Sequence, residues 1–112
     1  VNLALVLLER GDWQRAGSVL TELLWEARRG EFGFELAIHA ALLPCMARAG
    51  LWEEFDLHLD ETETLAAETG MVDRDIAWAL ESGADAAEAA GMDHRAERAR
   101  ALADDQRTQI SS

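Results

Sequence analysis

The side chains whose chemistry could support catalysis or metal binding are one cysteine and three histidines. They are Cys45, His39, His58 and His94. No histidine lies at the short, regular spacing from Cys45 or from a carboxylate that marks a zinc site. A reactive thiol also needs an activating base, and a cysteine among Leu42, Leu43 and Met46 is more often a small buried apolar residue. We therefore expect a chain that is not an enzyme and has no metal site and no cofactor.

Motifs for nucleotide or acyl chemistry are also absent from the sequence. It contains no glycine-rich phosphate loop, no nucleophile elbow and no kinase signature. Any nucleotide chemistry linked to this chain would therefore belong to another region of a larger protein.

The net charge and the cysteine count limit the partners and the cellular location to be expected. The chain has 112 residues and a formal net charge of -12. Nucleic acids and anionic membranes are disfavoured, because both are bound largely through Lys and Arg. A single cysteine permits no internal disulfide, which favours the cytoplasm. The apolar opening meets Glu9 and Arg10 too soon for a signal peptide or a membrane span.

A repeated segment centred on glycine organises the chain. Gly11, Gly50 and Gly91 stand 39 and 41 residues apart, a period typical of stacked helix pairs. Seven residues before the glycines stand Ala4, Leu43 and Ala84, and two residues after them stand Trp13, Trp52 and Asp93. Five residues after the glycines stand Ala16, Phe55 and Ala96, and nine residues after them stand Leu20, Leu59 and Arg100. The third copy is the most degraded. Glycine suits a left-handed helix end, and we expect the residues seven before it to face the partner helix.

Helical periodicity between the glycines predicts an all-α chain. Apolar residues recur at i, i+3, i+4 and i+7, as they do from 13 to 27. We expect six helices, near 2–10, 12–29, 33–49, 51–69, 73–90 and 92–107, and a solvated tail over 106–112. Gly30 and Gly33 mark the first turn between repeats and Gly70 marks the second, while Asp73 suits the N-cap of the fifth helix.

The Gly-x-Trp-x-x-Ala element of Gly11, Trp13 and Ala16, with Leu20 downstream, resembles the hairpin core of the tetratricopeptide repeat (TPR) family. The resemblance covers nearly the whole chain and weakens from the first copy to the third. The period exceeds the family's usual 34 or so by five to seven residues, and no proline closes each repeat. The resemblance implies one domain over 1–112, a right-handed α-solenoid of three antiparallel hairpins near 1–30, 31–70 and 71–107, with 108–112 as tail.

TPR-like arrays are binding scaffolds, so the resemblance implies protein or peptide binding without catalysis. In this family the first helix of each hairpin lines a concave groove, and its spacing places there Leu5, Leu8, Glu9, Arg48, Trp78, Glu81, Asp85 and Glu88, of which the last six are our candidate binding residues. The last four fall at i, i+3, i+7 and i+10, so one stripe carries an aromatic ring and three carboxylates that could clamp a basic peptide. The alternative is a solvated face of the last hairpin, with Trp78 packed on a neighbour.

A second acidic group lies on the fourth predicted helix. It consists of Glu53, Glu54, Asp56, Asp60, Glu61, Glu63 and Glu68. No Lys or Arg interrupts it, so we expect the outer face of this helix to repel itself. Either this face is a solvated convex surface, or a basic partner relieves the repulsion.

Two other functions stay open. The chain is similar to the long-period helical repeats of large bacterial signalling proteins, which follow a kinase, an ATPase or a transcription regulator, so it could be the regulatory arm of such a protein. A short first helix and the lack of an initiating Met lead us to expect the C-terminal part of a longer polypeptide. Self-association through the exposed ends of the array is the remaining possibility.

Overall fold

A computed structural model describes residues 2–28 and 34–111 of the chain. Its helices are α1 (Asn2–Glu9), α2 (Trp13–Arg28), α3 (Glu35–Ala49), α4 (Trp52–Thr69), α5 (Arg74–Ala89) and α6 (Asp93–Ser111). These residues contain no strand, so the all-α prediction is confirmed for the described part. The turn predicted at Gly30 and Gly33 lies outside the described residues. No helix in the two described segments has the length and apolar character needed to cross a membrane.

The chain reverses direction at the three glycines that define the repeat. Gly11, Gly50 and Gly91 have φ values of 79°, 72° and 79°, in the left-handed region where a Cβ causes strain. The residue after each glycine donates its N–H to the carbonyl five positions earlier: Asp12 to Leu7, Leu51 to Met46 and Met92 to Ala87. This bond defines the Schellman motif, which satisfies carbonyls left open at a helix end. The backbone therefore makes the same turn three times.

The core is built from equivalent positions around those turns. Seven residues before each glycine, Ala4, Leu43 and Ala84 are fully buried. The residues five and nine positions after the glycines are buried as well, except at Arg100: they are Ala16, Phe55, Ala96, Leu20 and Leu59. Each repeat therefore contributes the same helix faces to one continuous core.

The tryptophans two residues after Gly11 and Gly50 are only partly buried. Trp13 lies under the guanidinium of Arg48, 4.9 Å from its ring centroid, and Trp52 lies under Arg95 at 5.5 Å. A cation over a tryptophan face is attracted by the ring quadrupole. Each of these rings thus contacts the helix pair that follows its own.

Helix α3 is the centre of the fold. It packs against α2, α4 and α5, while α1 packs on α2, and α6 packs on α5 and lightly on α4. Because neighbours cover several sides of α3, it is apolar nearly all round. It comes close to α5 at Gly83, where a Cβ would lie 2.8 Å from the Cβ of Leu43. Pro44 follows Leu43 inside α3, where tertiary packing holds a helix that lacks one backbone N–H donor.

Helix α6 continues beyond its predicted end at residue 107 and ends at Ser111. The expectation of a solvated tail was wrong at Gln106, whereas residues 107–111 are exposed as expected. Gln106 is only 4% exposed. Its Oε1 accepts the N–H of Asp73 at 3.0 Å, and its Nε2 donates to the carbonyl of Met71 at 3.1 Å. This amide anchors the turn between α4 and α5 to α6. A polar residue that looked solvated therefore stabilises a tertiary contact.

Candidate functional site

The predicted binding stripe lies on α5, the first helix of the last pair. The helix begins where predicted, because the carboxylate of Asp73 accepts the N–H of Asp75 at 2.7 Å and caps the first turn. The stripe residues Trp78, Glu81, Asp85 and Glu88 follow on the same helix. Their carboxylates contact α6, and the arginines of α6 therefore decide what this stripe can bind.

Two arginines of α6 engage all three carboxylates of the stripe. Arg100 Nη2 donates to Asp85 Oδ1 and to Glu88 Oε2, both at 2.8 Å, and its Nε donates to Glu81 Oε1 at 3.4 Å. Arg107 Nη1 donates to Glu81 Oε2 at 3.0 Å. The hydrogen bonds that Arg100 donates, first to Asp85 and then to Glu88, raise the pKa of its guanidinium above its usual value. A basic ligand would have to displace these internal partners.

A sequence signal for this network exists at the third repeat. Arg100 stands where Leu20 and Leu59 stand in the other copies, and Arg107 follows it by seven residues on the same helix face. Two cations on one face of α6 match the acids spaced along α5. At this position the third repeat therefore has an ionic contact between helices where the other two copies have a buried leucine.

The remaining predicted site residues lie elsewhere. Glu9 is the exposed last residue of α1, and Arg48 lies near the end of α3 over the ring of Trp13. Among the described residues, neither forms a hydrogen bond or ion pair with the α5 stripe. The structure thus groups four of the six predicted residues on one helix.

Trp78 borders a shallow groove between the start of α5 and the end of α6. The groove measures about 340 Å³ and is lined by Arg74, Ala77, Trp78, Arg107, Ile110 and Ser111. Trp78 and Ile110 remain 37% and 38% exposed, respectively. The tryptophan is therefore partly exposed and lies beside residues of α6 in this groove.

The acidic outer face of α4 is partly neutralised by the other side of α6. Arg95 donates to both carboxylate oxygens of Asp56, at 2.8 and 2.9 Å. Arg98 pairs with Asp60 at 3.0 Å and with Glu63 at 3.8 Å. The self-repulsion expected of α4 is therefore reduced by contacts that its own sequence could not indicate. Helix α6 places arginines against α4 on one side and α5 on the other.

Cys45 has the environment of a structural residue. It is buried in α3, and its Sγ contacts the carbonyl of Ala41 at 3.7 Å. Burial raises the pKa of the thiol from 9.0 to about 12. Because the thiolate is the nucleophilic form, this shift keeps Cys45 in its unreactive state near neutral pH. The interpretation of Cys45 as a small buried apolar residue is confirmed.

Two histidines that lie 19 residues apart in the sequence meet where α3 packs against α4. The Nδ1 atoms of His39 and His58 are 2.9 Å apart, so one ring donates its proton and the other accepts it. His39 is 2% exposed, and the ring centroids are 5.1 Å apart. The described residues contain no group of three or more His, Cys, Asp or Glu that could hold a metal ion. The pair therefore links α3 to α4 at the edge of the core.

Comparison of the chain with protein-family models, with curated proteins and with solved structures returns no match. The fold and the surface chemistry are therefore the basis of the functional proposal.

Proposed function

We propose that this chain is a non-catalytic scaffold that binds a peptide or a partner domain at the α5–α6 face carrying Trp78. The proposal includes the arrangement of its hairpins as a right-handed, TPR-like α-solenoid. The observation that supports it most directly is an exposed tryptophan beside an exposed isoleucine, Ile110, in a groove between two helices. Such aromatic anchors, set among polar groups, contribute most of the binding energy at protein interfaces.

The ion pairs around Trp78 support the same proposal. Arg107 lies in the groove and is bound to Glu81, one helical turn beyond Trp78. This pair joins α5 to α6 next to the tryptophan. A site on packed helices loses less conformational entropy on binding than a site on a loop. Burial of the Trp78 ring would then favour complex formation with little ordering cost.

Selection from a phage-displayed random peptide library tests this proposal. We expect the wild-type chain to enrich peptides, and the Trp78→Ala variant to lose them while its helical circular dichroism is unchanged. Trp25→Ala is the matched control, because Trp25 is 65% exposed on α2, at a distance from this groove in sequence. Peptides that bind wild type and Trp78→Ala equally would show that this face is not the binding surface.

A further inference from the structure

The ionisable side chains that line the groove beside Trp78 are basic, whereas the whole protein is acidic. Among the residues that the structure describes, the lining includes two ionisable side chains, Arg74 and Arg107, and no carboxylate. The chain itself carries a formal net charge of -12. Positive lining on an acidic protein selects for a negatively charged group, because a basic ligand would approach two cations at close range.

Arg74 is placed where a cation is unfavourable for the helix. It is the first residue of α5, and positive charge in the first turn opposes the helix dipole. Within residues 2–28 and 34–111 no carboxylate forms an ion pair with it, and the neighbouring Asp73 is engaged in the helix cap. A bound anion would therefore stabilise both the guanidinium and the end of the helix.

Arg107 is only partly used by its internal partners. Its contacts with Glu81, at 3.0 Å, and with Asp104, at 3.7 Å, both go through Nη1. In the described chain this leaves Nε and Nη2 without an ion pair, and a guanidinium offers five N–H donors. Arg107 can therefore hold Glu81 and still donate to a ligand in the groove.

The apolar side chains of the groove indicate which group the ligand carries beside its negative charge. Trp78 and Ile110 expose more than a third of their surface next to the two arginines. A free anion would leave these side chains in water, and an extended polyanion such as a nucleic acid would be repelled by the protein's net charge of -12. A ligand that combines one carboxylate with a large apolar side chain satisfies both parts.

We infer that the groove binds a segment of a partner protein in which an Asp or Glu adjoins a large apolar residue. The carboxylate lies between Arg74 and Arg107, and the apolar side chain packs on Trp78 and Ile110. This inference rests on the proposed function and adds the chemistry of the partner. It reverses the expectation of a basic partner, which came from carboxylates that Arg100 and Arg107 already hold.

The peptides selected on the wild-type chain test the inference by their composition. We expect enrichment of Asp or Glu next to Phe, Leu, Ile or Trp, and an affinity that falls as NaCl is added. Arg74→Glu should weaken binding of the enriched peptides by about tenfold or more, the effect of one lost charge contact. The substitution puts a favourable charge in the first turn of α5, so the thermal midpoint should not fall.

Arg10→Glu is the matched control, because it makes the same change in net charge just after α1 and should leave binding intact. Enriched peptides that are basic or uncharged, and insensitive to Arg74→Glu, would overturn this inference while leaving the scaffold function standing. If no peptide is enriched in a manner that depends on Trp78, both the inference and the proposed function fail.

Discussion

Gly83 allows the close approach of α3 and α5, and its substitution would measure how much this approach contributes to the free energy of unfolding. A Cβ at this position would lie 2.8 Å from the Cβ of Leu43, an atom attached to backbone that cannot rotate away. Alanine favours the helix by about 1 kcal/mol, but forcing packed helices apart costs about 1–3 kcal/mol. We expect Gly83→Ala to lower the free energy of unfolding by about 1 kcal/mol in urea denaturation.

Gly17 in α2 provides the control for this measurement. A Cβ there would be 3.5 Å from the Cβ of Cys45, an ordinary contact distance. Gly17→Ala should therefore raise the free energy of unfolding by about 0.5–1 kcal/mol, through helix propensity alone. A gain of similar size for Gly83→Ala would contradict the close approach of α3 and α5.

Cys45 makes the free energy of unfolding depend on pH in the alkaline range. Burial raises the pKa of its thiol from 9.0 to about 12. Between these values the unfolded chain releases a proton that the native chain retains, so stability falls as pH rises above 9. The expected loss is about 1 kcal/mol per pH unit, measured by urea denaturation at pH 8 to 11. The sequence has no Lys and no Tyr, so few other groups titrate in this range.

Cys45→Ala separates this effect from any other alkaline transition, because the free energy of unfolding of the variant should fall much less as the pH rises. Ellman's reagent gives an independent readout. The native thiol should react slowly at pH 8 and rapidly once urea has unfolded the chain. Fast labelling of the native protein would show that Cys45 is accessible as a thiolate.

At the scale of the helices, local signals predicted the elements and missed most of their polar contacts. Apolar periodicity and the turn glycines act over a few residues, so the helices and the reversal at Gly50 followed from the sequence. Contacts between helices depend on how the helices pack. His39 with His58, Arg100 with Asp85 and Gln106 with Asp73 join residues 19, 15 and 33 positions apart. No spacing rule within one helix indicates such pairs.

The Arg100 network should contribute more to the docking of α6 than a single ion pair does. Arg100→Met keeps much of the apolar stem but leaves Asp85 and Glu88 without a cation and Glu81 with Arg107 alone. Like charges at these helical spacings repel. We expect a lower midpoint of urea denaturation at low ionic strength, and a smaller loss in 1 M NaCl, where screening weakens both attraction and repulsion.

Arg98→Met is the comparison for Arg100→Met, because Arg98 pairs with only two carboxylates, Asp60 at 3.0 Å and Glu63 at 3.8 Å, and only the first is within hydrogen-bond distance. Exposed pairs of this kind contribute little to stability. The Arg98 variant should therefore shift the midpoint less than the Arg100 variant. Equal shifts would indicate that sharing one guanidinium among the carboxylates of α5 adds no stability.

At the scale of the whole molecule, α3 is the main connection between the two ends. The α1–α2 pair packs on α3 through α2, and the α5–α6 pair packs on α3 through α5. In a stacked array each unit contacts its neighbours, so damage at one end reaches the other end only through the units between them. Loosening α2 should therefore leave the groove beside Trp78 intact.

Leu20→Ala tests this order of packing, because Leu20 is fully buried in α2 and its truncation should cost about 2–5 kcal/mol. In hydrogen exchange followed by mass spectrometry, amides of α1 and α2 should exchange faster while those of α5 and α6 keep most of their protection. Leu80→Ala, at a buried position in α5, should give the reverse pattern. If either variant raises exchange equally in all described helices, the molecule unfolds as one cooperative core, and the stacked array is removed from the proposal.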